Sequence, residues 1–346
     1  MSGTLRFSAF SVALLAVAAL AARPLAAADA ALIAAAKKEG EVVWYTTLIV
    51  NQLVRPLAAA FEKKYGVKVR FARANSTQTA LKVLTEAKAG KVQCDVFDGT
   101  NTAEVLRKDD LVLKWLPPAA KNYPAHLVDP DGYWIATNVY VLTPAYNKSL
   151  IKPGSQPKTY ADLLDPGWRG QMTWNGSTST SGGPGFIGSV LKSMGEARGM
   201  DYLRKLAAQK LVNRSASARK VLDQVVSGEN AIALQIFNHH AVISANKGAP
   251  VDWIPMEPAT VVLQVASVAR AAPRPNAGKL LLDYMVSDEG QRLFQKANYL
   301  PANPKIPAKT PALKPEAGGF KAIYMSPKEV DRDMPRWKKI FDDLFR

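Results

Sequence analysis

Five short clusters carry the residues of this chain best suited to chemistry. They are Thr46-Thr47, Asn75-Ser76-Thr77, Asp98-Gly99-Thr100-Asn101, the run from Asn175 to Gly183, and Phe237-Asn238-His239-His240. Each follows a stretch that reads as a β-strand. In open parallel sheets ligands sit beyond the carboxyl ends of the strands, where helix N-termini offer free N–H groups and a positive dipole end. Hydroxyl and amide donors in such places suit an anionic oxygen group, a carboxylate or a phosphate. The candidate ligand residues are therefore Thr46, Thr47, Asn75, Ser76, Thr77, Gly99 and Thr100 on one side of a cleft. Asn175, Ser177, Thr178, Thr180, Gln235, Asn238 and His239 would face them. Arg214, just before a helix expected over 218–226, could clamp a carboxylate with two parallel bonds. Any one of these loops is also an ordinary cap or turn; recurrence at five strand ends is what points to a site.

His239-His240 leaves three readings open: a metal ligand, a ring lining the cleft, or a structural role. On a strand the two side chains would point to opposite faces and could not readily share one ion, and His126 is the only other histidine. Catalytic signatures do not occur. The chain has no Gly-x-Ser-x-Gly elbow, no His-Glu-x-x-His helix and no Gly-Lys-Ser/Thr phosphate loop. No catalytic residue, resident metal or cofactor is expected, and an exported hydrolase is the weakest alternative.

These loops need a scaffold. Glu41 to Thr46 reads as a strand and Asn51 to Tyr65 as a helix with Leu53, Leu57 and Phe61 on one face, stopped by Gly66. Val67, Val69 and Phe71 alternate as a second strand. A helix bearing Leu81, Leu84 and Ala87 follows, then a third strand from Val92 to Phe97 that buries Cys94. This β-α-β-α-β order predicts an α/β fold with a parallel sheet flanked by helices. Further strands are expected over Tyr133–Leu142, Met172–Trp174, Ala231–Ile236 and Val261–Val268. Helices are expected over Gly185–Met194, Arg198–Gln209, Ala218–Val226, Pro275–Lys296 and Ser326–Phe345, with a loose Pro- and Lys-rich connector at 301–320. Thr159 should cap a short helix carrying Leu163 and Leu164, which Asp165-Pro166-Gly167 then breaks.

Length and charge bound the rest. The chain has 346 residues and a formal net charge of +16. Residues 1–28 have the pattern of a cleaved signal peptide: Arg6, an apolar stretch from Phe7 to Ala22, and Ala26-Ala27-Ala28 before Asp29. No cysteine lies near that site, so a free, not lipid-anchored, product is expected. What remains suffices for two lobes with separate cores. The single Cys94 excludes an intramolecular disulfide. Lys and Arg are scattered rather than clustered, which with export argues against nucleic acid and favours a solvated basic surface or a field that attracts small anions.

The succession Thr159-Tyr160-Ala161-Asp162-Leu163-Leu164-Asp165-Pro166-Gly167-Trp168-Arg169-Gly170, then Met172 to Gly176, resembles the second lobe of periplasmic solute-binding proteins of bacterial ABC importers. The branch it resembles includes the ferric-iron binders. Glu41-Val42-Val43-Trp44-Tyr45 and Ser287-Asp288-Glu289-Gly290-Gln291 extend the likeness over nearly the whole mature chain. The resemblance implies a two-lobe, type II-like α/β fold, each lobe a mainly parallel sheet flanked by helices, joined by two crossing hinge strands. It places lobe one at 29–138 and 262–300, lobe two at 139–261, and a C-terminal connector and helix at 301–346. It also implies a small-molecule ligand passed by a monomer to permease subunits in the inner membrane, driven by a cytoplasmic ATPase. Ferric binders of this branch carry adjacent tyrosines where this chain has Asn238, His239 and His240. A small organic anion is therefore expected, with ferric iron or another metal as the alternative.

Overall fold

The computed structural model describes residues 29–214 and 217–346; the expected signal peptide lies outside the described residues. Among the described residues eleven strands form one sheet: β1 (Glu41–Thr46), β2 (Lys68–Arg73), β3 (Val96–Gly99), β4 (Ile135–Asn147), β5 (Met172–Asn175), β6 (Val212–Arg214), β7 (Ile232–Phe237), β8 (Val251–Trp253), β9 (Ala259–Val268), β10 (Leu300–Pro301) and β11 (Ala322–Met325). Their order is β2-β1-β3-β9-β4-β7-β5-β6, with β10 and β8 added to β4 and β11 added to β9. Two parallel sets, β2-β1-β3 and β7-β5-β6, flank a central antiparallel pair. The chain leaves the first set on β4 and returns on β9, whose last residues pair with β3. Both central strands are buried almost throughout, as strands covered on two faces must be.

This is the expected two-lobe α/β arrangement, with several local differences. The third strand starts at Val96, not Val92, because the Asp95 carboxylate takes the Val43 N–H at 2.7 Å that a ladder bond would use. Residues 50–54 form a π-helical turn before the helix Arg55–Tyr65. Leu81 is 62% exposed, on the outer face of its helix. The expected helix 275–296 is two, Pro275–Val286 and Asp288–Lys296. Ser287 divides them: its hydroxyl donates to the Tyr284 carbonyl and accepts from Gly290 N–H. Thr159 Oγ1 accepts from Asp162 N–H at the start of a 3-10 turn, Asp162–Leu164, in place of the expected helix. The connector at 301–320 is not loose. Ile306, Ala308, Leu313 and Phe320 are buried, and the last three pack with Val141, Val261 and Leu300.

The C-terminal helix, Pro327–Phe345, starts at a Ser326 cap and buries Val330, Met334, Trp337 and Phe341, four residues at helical spacing on one face. That face packs chiefly on the helix Gly183–Met194 and more lightly on Thr102–Arg107. The packing needs two glycines. A Cβ on Gly188 would lie 2.5 Å from the Trp337 ring, and one on Gly183 would lie 2.3 Å from Phe341.

Candidate functional site

The strand ends converge on a cavity of about 510 Å³ between the two parallel sets. That size falls in the range of about 300–1,000 Å³ usual for small-molecule sites. On the first side, β1 and β2 end in Thr47 and in Arg73-Ala74-Asn75-Ser76, and β3 ends beside Thr100. Asn75 and Gln78 form a capping box for the helix Ser76–Lys88; the cap uses the Asn75 oxygen and leaves its amide nitrogen uncommitted. Gly99 is required here, since a Cβ would lie 2.0 Å from Thr102 Oγ1 and 2.9 Å from Ser76 Oγ. That close approach lets Thr100 N–H donate to Ser76 Oγ at 3.2 Å.

On the second side the wall is Asn175, Ser177, Ser179, Thr180 and Ser181, leading into the helix Gly183–Met194. Beside it lies the first turn of the helix Ala218–Val226, with Ser217 as cap and Arg219 and Lys220 on the wall. The back is aromatic: Tyr140, Phe237, Tyr299 and His240. The two sides touch directly. Thr77 Oγ1 donates to the Thr178 carbonyl at 2.9 Å, and Thr180 Oγ1 donates to Thr100 Oγ1 at 3.2 Å.

Of the residues expected from sequence, Thr47, Asn75, Ser76, Thr100, Asn175, Ser177 and Thr180 are together on this wall. The others lie elsewhere. Thr46 is wholly buried, and its hydroxyl accepts from Leu48 N–H. Gly99 lies behind Thr100, and Thr77 and Thr178 bond each other across the rim. Arg214 pairs with Glu229 and does not line the cavity. Gln235 donates to the Thr180 carbonyl at 2.7 Å and so positions that residue from behind. Asn238 donates to the Leu313 carbonyl, and His239 is wholly buried.

The cations missed from sequence are Arg73, Arg219 and Lys220. Arg73 Nε donates to the Leu48 carbonyl, and Arg219 reaches Asp223 one turn along its helix. A signal for both existed: Arg73 ends a strand and Arg219 opens a helix, the positions the strand-end rule selects. Gln264, Tyr140 and Tyr299 were also missed, because they come from the central strands and from a segment just before β10.

His239-His240 sits in the first turn of the helix Asn238–Ala245, not on a strand, so the opposite-faces argument does not apply. The two ring centroids are 4.4 Å apart. His239 stacks on Tyr140 at 5.5 Å and leans on Tyr299 at 4.6 Å, and neither of its ring nitrogens has a hydrogen-bond partner. Burial, helped by Arg219, pushes its pKa down to about 3, and burial with His239 and Arg219 nearby pushes His240 well down too. Below the unfolded value of 6.5 the unfolded chain binds protons that the folded chain refuses, so this contribution to stability is complete above pH 6.5 and shrinks as pH falls toward 3. Each pH unit in that window costs up to about 1.4 kcal/mol per histidine. Denaturant melts of wild type and His239→Gln should therefore converge or cross as pH drops from 7.5 to 5; parallel profiles would contradict the burial argument.

Asp98 lies fully buried behind the front wall. Burial lifts its pKa, against hydrogen bonds from Thr46, Thr47 and Trp44 that hold it down. Trp44 Nε1, Thr47 N and Thr47 Oγ1 donate to it at 2.8–2.9 Å and Gln264 Nε2 at 2.6 Å. Taken together, the cavity offers hydroxyls, helix N-termini and three cations, a set that attracts and orients an anion.

Comparison with known proteins agrees with this architecture. Residues 95–318 match the family model described as bacterial extracellular solute-binding protein. An uncharacterized protein of Haemophilus influenzae is 26% identical over 285 residues, covering 79% of this chain and 80% of its own length. Among solved structures, the periplasmic binding protein AfuA of Actinobacillus pleuropneumoniae, with fructose-6-phosphate bound, superposes with a TM-score of 0.78 at 22% identity over 89% of this chain and 99% of its own. Iron-bound HitA of Pseudomonas aeruginosa gives 0.73 at 21% identity over 88% and 99%. With the family model spanning well over half its length, the chain belongs to the bacterial extracellular solute-binding proteins, the binding components of ABC importers.

Proposed function

We propose that this protein captures a small organic anion, a carboxylate, phosphonate or sugar phosphate, in the periplasm and delivers it to an inner-membrane permease as a monomer. The observation that carries this reading is the gathering of Arg73, Arg219 and Lys220 with the first turns of the helices Ser76–Lys88 and Ala218–Val226 around one cavity. Cations and free N–H groups aimed at one space stabilise negative charge there. The bound fructose-6-phosphate of AfuA is a ligand of that kind. Export follows from the reading of residues 1–28 as a cleaved signal peptide. The lobes would be 29–138 with 262–300, and 139–261, closing by hinge motion at β4 and β9.

Ferric iron is the second reading, favoured by Tyr140 and Tyr299 on the wall and by iron-bound HitA among the structural relatives. Against it, burial raises the pKa of both phenols, and three cations share the cavity with them. A thermal-shift screen of the mature protein against carboxylates, phosphonates, sugar phosphates and ferric citrate separates the two. One organic anion should raise the melting temperature, and iron loading should give no phenolate-to-metal absorption band. A visible band with no anion response would overturn the proposal.

A further inference from the structure

The cavity is not uniformly a donor surface; one corner of it is turned into an acceptor. Asp98 accepts hydrogen bonds from Trp44, Thr47 and Gln264 and makes no ion pair among the described residues, so its neighbours' protons point inward to it. Thr47 Oγ1 spends its proton on Asp98 Oδ1 and accepts from Gln264 Nε2 at 2.6 Å. Gln264 Nε2 is held by both, which fixes the orientation of the amide: the reverse orientation would set its oxygen against the carboxylate. Gln264 is wholly buried on the cavity wall, and its Oε1 has no donor. An acceptor kept dry and unpaired costs free energy that a bound partner recovers. Nothing else in the corner supplies that donor, and the Thr47 hydroxyl retains one free lone pair as well.

We propose that the ligand carries a hydrogen-bond donor, hydroxyl or ammonium, in addition to its anionic head, and that Asp98 is the positioning residue that makes Thr47 and Gln264 receive it. This rests on the anion reading above, since the head must occupy the Arg73–Arg219–Lys220 side. A site built to satisfy a substrate donor rejects analogues that lack it, because its own polar groups are then left unpaired.

Calorimetric titration with matched probes tests this. Glycerol 3-phosphate supplies hydroxyls, phosphoethanolamine an ammonium, and propyl phosphate neither; glycerate, β-alanine and propionate repeat the series on a carboxylate head. At least one donor-bearing probe should bind about tenfold or more tighter than its bare counterpart, and the better of the two names the donor. In Asp98→Asn and Gln264→Leu that ratio should collapse toward unity; Gln264→Leu keeps the test available if the buried Asp98 variant does not fold. Equal binding of bare and donor-bearing probes, or a ratio that survives in Gln264→Leu, overturns the inference while leaving the anion reading standing. If no probe of either series binds, the anion reading itself falls and the inference with it.

Discussion

Arg219→Ala should weaken binding of the organic anion about 10- to 100-fold without lowering the stability of the empty protein. The guanidinium stands in the first turn of the helix Ala218–Val226 on the cavity wall, and only 28% of its side chain is exposed. Hydrogen bonds to charged groups contribute about 1.5–3 kcal/mol, which sets the range, while Arg73 and Lys220 remain to limit the loss. In the empty cavity the same three cations and the positive ends of two helices share one space. Removing one relieves that repulsion, and the ion pair it makes with Asp223 along the helix is worth only about 0.3–0.5 kcal/mol. Opposite signs on affinity and stability are the mark of a group placed for the ligand rather than for the fold. Titration with the anion found by thermal shift, and urea melts of the empty protein, measure both. Arg214→Ala is the control: that side chain pairs with Glu229 away from the wall and should change affinity less than about twofold. A loss under threefold for Arg219→Ala, or an equal loss for Arg214→Ala, would remove the cation cluster from the binding site.

The first half of the fold was legible because its signals are local. Gly66 ends its helix in the left-handed conformation, alternation marks β2, and four-residue spacing marks the helix before it; the first helix, Ala30–Glu39, went unread. Where the reading slipped, a side chain had replaced a backbone partner. Asp95 delays β3, and the Ser287 hydroxyl divides what periodicity alone joins into one helix. The segment at 301–320 looked loose because Pro and Lys dominate it; its few apolar residues are nevertheless buried against the central strands, a contact no local pattern encodes.

For the site, the strand-end rule selects loops that the structure gathers around one cavity, but not every side chain it selects lines that cavity. It works on chain direction, which sequence shows, and not on rotation about the strand, which it does not. Thus Thr47 lines the cavity and Thr46 is buried behind it, and Arg219 lines it while Arg214 pairs with Glu229 instead. Gln264 and Asp98 were out of reach for another reason. Gln264 lies inside a central strand and Asp98 is buried behind its own strand-end cluster, and their meeting depends on β9 lying beside β3, the two residues being 166 positions apart in sequence.

Phe341→Ala should cost about 3–5 kcal/mol of folding stability, the range for truncating a buried aromatic ring. Phe341 is 1% exposed, and its ring lies 5.5 Å from Trp174 and against the backbone of Gly183. Trp174 is the last apolar residue of β5, and Gly183 opens the helix that follows the Asn175–Gly182 loop. The ring therefore braces both ends of the loop that carries Ser177, Ser179, Thr180 and Ser181 into the cavity. A cavity left at that point deprives both anchors of support, so the loss should appear in two readouts: a lower urea midpoint, and weaker anion binding under conditions where the variant is fully folded. Phe345→Ala, in the last turn of the same helix and only partly buried, should cost less in both. The C-terminal helix would then be part of the binding architecture, coupled to the loop through Trp174. A Phe341→Ala variant within about 1 kcal/mol of wild type, or one that is destabilised but binds the anion unchanged, would reduce that helix to a surface cover with no part in holding the loop.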